Sequence, residues 1–162
     1  MYRKILVPVD GSQTSARGLA EALKLAKDQR ARLRFLHVVE EYSVIQSVGL
    51  GGVAFDTANL IDMLQADAKK IIAGAMARAR KNGIQADSVT YESFTGRSSD
   101  FVVSEAKKWQ ADLIVMGTHG RRGVSRMVLG SDAEIVVRTS PVPVLLVRAP
   151  ESTARTRSKG IA

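Results

Sequence analysis

The sequence predicts an α/β protein: a doubly wound, mostly parallel five-stranded sheet with helices on both faces. Two observations carry that prediction. Four short apolar runs read as buried strands, at Ile5 to Val9, Leu33 to Val39, Leu113 to Met116 and Val142 to Val147. Between them lie segments whose apolar residues recur every three or four positions, the period of a helix packed on one side. The order that results is βαβαβαβαβ.

Each element has its own signal. Val89 to Phe94 mixes apolar and polar residues, as expected of an edge strand. Helix one follows Ala16, Leu19, Leu23 and Ala26. Helix two follows Leu64, Ala68, Ile72, Ala75 and Ala79, and Gly83 is placed to stop it. Val102, Ala106 and Trp109 mark helix three, with Ser98 or Ser99 expected as its N-cap. Helix four is expected to open at Ser131, with Glu134 at capping-box spacing. The glycine-bearing stretch Ser43 to Asp56 reads as a long crossover, and the polar end, residues 149–162, as a disordered basic tail behind one domain, residues 1–148.

Composition bounds the function. With 162 residues and 45% apolar content the chain can bury one domain core. No apolar run is long enough to cross a membrane, and Pro8 and Asp10 interrupt the N-terminus too early for a signal peptide. There is no cysteine, hence no disulfide framework or thiolate metal site, and a cytoplasmic location is expected. The net charge of +8 draws attention to nucleic acid. Part of it sits in the tail, at Arg155, Arg157 and Lys159, and the rest is scattered among acidic residues without interleaved aromatics. Nucleic-acid binding is therefore not expected.

In an open sheet of this class ligands bind beyond the carboxyl ends of the strands, where the strand order reverses. The residues just after strands one and four matter most. Strand four runs into Gly117-Thr118-His119-Gly120, and nine residues later Gly130-Ser131 opens a helix. Glycines let backbone N–H groups approach phosphate oxygens, and a helix N-terminus adds free donors and the positive end of a dipole. Arg121, Arg122 and Arg126 lie between and can neutralise a triphosphate. No GxxxxGK[ST] motif occurs, nor GxGxxG after strand one, so neither a P-loop enzyme nor a dinucleotide fold is expected. A phospho-acceptor receiver would need adjacent acids after strand one, where Val9 precedes Asp10, and an Asp after strand three.

The segment Gly117-x2-Gly120-x9-Gly130-Ser131 resembles the ATP-binding motif of universal stress proteins. The opening Ile5-Leu6-Val7-Pro8-Val9-Asp10-Gly11-Ser12, the run Leu36-His37-Val38-Val39, the stretch Asp112 to Gly120 and the closing Pro141 to Val147 resemble that family as well. The likeness covers residues 1 to about 148. It implies a flavodoxin-like sheet (the adenine nucleotide alpha hydrolase-like arrangement), a homodimer paired through the last strand, and bound ATP, which brings Mg²⁺ with it. Carried over by position, Pro8, Val9 and Asp10 are expected to line the adenosine, with the Asp10 carboxylate on the ribose. Val38 is expected to meet adenine through its backbone, and Met116 to pack beneath the nucleoside. Gly117 and Gly120 are expected to admit the phosphates beside Thr118, His119, Arg121, Arg122 and Gly123, with Gly130, Ser131 and Asp132 closing over them.

Two departures stand out. Asp132 occupies a position that is usually small or apolar in the family, and its charge would repel phosphate. Thr95-Gly96-Arg97-Ser98 lacks the proline often found after that glycine. Plainer roles stand beside the functional ones. Asp10 can simply cap the strand-one loop, and Ser131 can cap helix four. His119, in a glycine turn without a clear carboxylate partner, reads as a phosphate donor or a structural residue rather than a general base. His37 reads as a satisfied core residue and Trp109 as packing. No catalytic or metal-ligating set is expected. The reading is an ATP-binding universal stress protein in stress response or signalling, with at most slow hydrolysis. Its rivals are an ATP-using enzyme (an ATPase or nucleotidyl transferase) and a dimeric interaction module that binds no nucleotide.

Overall fold

The computed structural model of the chain describes residues 1–40, 57–93, 97–120 and 129–148. Five strands fall where apolar runs interrupt helical periodicity: β1 (Lys4–Pro8), β2 (Arg32–Glu40), β3 (Ala86–Ser93), β4 (Leu113–Gly117) and β5 (Val144–Val147). Among the described residues four helices alternate with them: α1 (Gln13–Gln29), α2 (Thr57–Lys81), α3 (Ser98–Trp109) and α4 (Ser131–Thr139). All strand pairs are parallel, in the order β3-β2-β1-β4-β5. The mixed strand β3 is an edge, as its composition predicts.

The chain winds from β1 outward to β3, then returns beside β1 to lay down β4 and β5. Because crossovers are right-handed, the two halves put their helices on opposite faces. Strand alternation divides the core accordingly. Ile5, Val7, Leu33, Phe35 and Val115 pack with α1 and α2, whereas Leu6, Leu36, Ile114 and Met116 pack with α3 and α4. The order reverses between β1 and β4, so their exits frame the place where a ligand fits.

The ends of the elements correct several expectations. The buried stripe of α1 runs through Ser15, Gly18, Leu19, Ala22, Leu23 and Ala26, and Ala16 is exposed. Neither Ser98 nor Ser131 is an N-cap: Arg97 and Gly130 hold those positions, without side-chain caps, and both serines lie inside the first turn. Glu134 therefore makes no capping box; its backbone N–H bonds the Gly130 carbonyl, and its carboxylate pairs with Arg138 at 3.9 Å. Strand β5 starts at Val144 rather than Val142. The Ser140 hydroxyl holds the Val142 carbonyl and N–H at 2.7 and 3.1 Å, and Pro143 has no N–H to donate. Gly83 does end α2, at a φ of 67° that favours glycine. Phe94, the crossover Ser43 to Asp56 and the tail beyond residue 148 lie outside the described residues.

Candidate functional site

The β1 exit is a small hydrogen-bonded turn. Gly11 takes a φ of 81°, and Ser12 caps α1 by accepting the Ser15 N–H at 3.1 Å. Asp10 Oδ1 accepts the Ser12 N–H at 2.8 Å, and the Asp10 N–H reaches the Ser15 hydroxyl at 3.2 Å. One oxygen of Asp10 thus serves the loop. The other, Oδ2, lies 3.0 Å from where a Cβ on Gly120 would stand. Gly120 is small because the two exits converge there.

The β4 exit is tied to α1. The Thr14 hydroxyl donates to the His119 carbonyl. A Cβ on Gly117 would stand 2.7 Å from the Thr14 carbonyl carbon and 2.9 Å from the Ser15 nitrogen. Helix packing thus accounts for glycine at 117, whatever else its backbone meets. Gly130 is similarly enclosed. Its N–H bonds the Thr118 carbonyl at 2.9 Å, and a Cβ there would come within 3.1 Å of that oxygen. A side chain at 130 would thus press on the β4 turn instead of entering open space.

Between these exits and α3 lies a cavity of about 480 Å³, within the range of small-molecule sites. Pro8, Val9, Asp10, Val38, Met116, Gly117, His119, Gly120, Gly130, Ser131 and Asp132 all line it. Thr118 does not: it is buried, 3.0 Å from the His119 ring Nδ1. Arg121, Arg122, Gly123 and Arg126 lie outside the described residues. The first turn of α4 borders the cavity with no side-chain cap, so its positive dipole end opens there. Apolar walls come from Leu36, Val38, Val102, Met116 and Val136.

Sequence reading missed Glu40, Ser98, Ser99 and Val102, which also line the cavity. They join it through tertiary contacts that no local spacing announces. The Ser98 hydroxyl donates to Glu40 at 2.6 Å, and Asp132 Oδ1 accepts the Ser99 N–H at 3.3 Å. Asp132 is thereby engaged with the N-terminus of α3, which offsets part of the repulsion expected of it. His37 is the satisfied core residue foreseen: its ring Nδ1 lies 2.6 Å from the Val9 carbonyl, which can only accept, so that nitrogen carries the proton. Trp109 is a packing residue with the Arg34 guanidinium 4.8 Å from its ring centre. Among the described residues no group of three or more acidic or histidine side chains is placed to hold a metal, and no helix is long and apolar enough to cross a membrane.

The comparisons agree with this architecture. Residues 1–148 match the model of the Universal stress protein family. Universal stress protein YxiE of Bacillus subtilis is 36% identical over 152 residues, spanning 91% of this chain and all of the relative. Universal stress protein MJ0531 of Methanocaldococcus jannaschii is 34% identical across 93% of this chain and 85% of its own. Among solved structures, hypothetical protein MJ0577 superposes with a TM-score of 0.79 at 26% identity, covering 94% of this chain and 99% of that one. A universal stress protein solved in complex with cAMP superposes with a TM-score of 0.66 at 25% identity, covering 91% and 97%. With the fold, the paired exits and the sequence in agreement along nearly its whole length, this chain belongs to the universal stress protein family.

Proposed function

We propose that this protein binds ATP, with Mg²⁺, in the cavity between the β1 and β4 exits, and acts in stress response or signalling with at most slow hydrolysis. One observation carries the reading: the glycine turn of β4 and the uncapped first turn of α4 border the same cavity, whose lining also includes apolar side chains that suit a base. In this arrangement Gly117, Gly120, Gly130 and Ser131 receive phosphates, and Val38 and Met116 flank the nucleoside. Asp10 Oδ2 meets the ribose. A universal stress protein of similar fold was solved in complex with cAMP, which supports adenine-nucleotide binding as the reading for this one.

Asp10→Asn tests the site with little damage to the fold, because the amide oxygen still accepts the Ser12 N–H. Its ATP affinity should fall about tenfold, ~1.4 kcal/mol, and its preference for ATP over a 2′,3′-dideoxy analogue should shrink. Calorimetric titration measures both. Wild-type affinity in a folded variant would place the ribose elsewhere.

The same reading includes a homodimer through β5. This strand ends the sheet order and pairs only with β4 among the described residues. The Pro143 carbonyl accepts the Ile114 N–H at 3.0 Å, so Pro143 faces β4. The outer flank then offers the backbone groups of Val144 and Leu146, an open edge of the kind proteins pair or cover. Their half-buried side chains pack against the core beside α3 and α4, so charges at 144 or 146 would disturb the fold as well as any dimer. Leu145, 37% exposed, is the better probe. Leu145→Lys should turn a dimer into a folded monomer by light scattering. A monomeric wild type at micromolar concentration would contradict the pairing.

A further inference from the structure

The described lining of the cavity carries charge of one sign. Asp10, Glu40 and Asp132 belong to it, and no lysine or arginine does. Two of these carboxylates serve their own surroundings: Asp10 Oδ1 accepts the Ser12 N–H at 2.8 Å, and Glu40 accepts the Ser98 hydroxyl at 2.6 Å. Asp132 is placed differently. It is half-buried in the first turn of α4, and its Oδ1 accepts the N–H of Ser99, in the first turn of α3, at 3.3 Å. Neither helix has a side-chain cap at its N-cap residue. One carboxylate therefore sits in the first turn of one helix and against the first turn of another, where two positive dipole ends would otherwise face a ligand's anion.

That placement decides which ionic form of a nucleotide fits. The reading above puts phosphates at Gly130 and Ser131, and Asp132 is the next residue. Metal-free ATP would bring its full negative charge beside this carboxylate, and like charges repel. Magnesium cancels part of that charge and takes oxygen ligands, so a carboxylate nearby suits it. We propose that Asp132 makes the site selective for the magnesium complex of ATP over the metal-free nucleotide. The cation comes with the nucleotide, because among the described residues no group of three or more acidic or histidine side chains is placed to hold a metal. This inference rests on the nucleotide reading above and gives Asp132 its role there.

The test is calorimetric titration of the full chain with ATP, in excess Mg²⁺ and in excess chelator, for the wild type and Asp132→Asn. The amide oxygen of Asn can still accept the Ser99 N–H, so the substitution removes charge with little change of shape. The wild type should bind the magnesium complex about tenfold tighter than metal-free ATP, the scale of like-charge repulsion in a partly solvated site. Asp132→Asn should shrink that ratio about fivefold, by tightening the metal-free form. AMP, with a single phosphate, should gain less from the substitution than metal-free ATP does. A wild type that binds both forms of ATP alike would overturn the proposal whatever the variant does, and would leave the counter-charge to Arg121, Arg122 and Arg126. An unchanged ratio in Asp132→Asn would overturn it too, moving the magnesium preference to Asp10 or Glu40. An equal gain for AMP would assign Asp132 to the nucleoside end and refute the role given to it. Failure of the underlying reading looks different: the wild type would bind neither AMP nor ATP, with or without Mg²⁺.

Discussion

Arg34→Met should destabilise the protein by about 3–5 kcal/mol, because it strands a buried carboxylate. Arg34 extends from β2 and clamps Asp87 of β3 with two nitrogens, at 2.5 and 3.0 Å. Its remaining amino group donates to Glu105 of α3 at 2.8 Å. Glu105 is 1% exposed, and its other oxygen accepts the Tyr91 hydroxyl at 2.5 Å. Without Arg34, this charge keeps one neutral donor in a dry environment. Urea unfolding checks the loss. The double variant Arg34→Met with Glu105→Leu should recover much of it, since removing both charges removes the desolvation cost. Failure to recover would mean that the guanidinium acts mainly through its contact with Trp109.

The same network gives an alkaline signature. The hydrogen bond to Glu105 raises the Tyr91 phenol above its ordinary value of 10.0, with burial adding to the effect. A pKa higher in the folded state means that the folded protein holds the proton more tightly. The stabilisation is therefore complete below about pH 10 and is lost as pH rises through the raised value. Tyr91→Phe should flatten that decline.

Gly117→Ala should destabilise the fold by about 1–3 kcal/mol and weaken nucleotide binding as well. The new methyl group would meet backbone atoms of Thr14 and Ser15 at 2.7 and 2.9 Å, and backbone cannot rotate aside. The start of α1 must shift, taking with it the Ser15 hydroxyl that holds the Asp10 N–H and the Thr14 hydroxyl that holds the His119 carbonyl. Both exits then lose their register. Gly18→Ala is the matched control: its Cβ would meet the Gly117 nitrogen and the Met116 carbonyl carbon at 3.2 Å, so a smaller adjustment suffices. Denaturant midpoints and ATP titrations of the pair should rank Gly117→Ala as the worse in both. Equal, small effects would show that α1 moves away at little cost.

Some of this was legible in the sequence because it is local. Apolar runs and helical periods depend on neighbours a few residues apart, so five strands, four helices and their alternation follow directly. The glycine turn and Asp10 were legible because strand exits are where such a sheet opens. Helix α4 does open at Ser131, as its spacing predicts, but the caps were misread there and at Ser98 or Ser99, since a serine caps or sits inside the first turn depending on the turn before it. The Arg34, Asp87, Glu105 and Tyr91 network was invisible, for it joins β2, β3 and α3 across as many as 71 residues. The wall made by Glu40, Ser98, Ser99 and Asp132 was hidden for the same reason: three elements meet there, and none carries a motif for it.

The central claim is that the cavity holds ATP, and the most direct measurement is titration of the full chain with ATP in the presence of Mg²⁺. Adding analysis of any nucleotide released by heat from the purified protein closes the gap left by a site already filled. The account predicts saturable binding of one nucleotide per chain, or its equivalent carried through purification, reduced in Asp10→Asn. A folded wild-type protein that releases no nucleotide and takes up no ATP at about millimolar concentration, where even a binding free energy of ~4 kcal/mol would register, would contradict it.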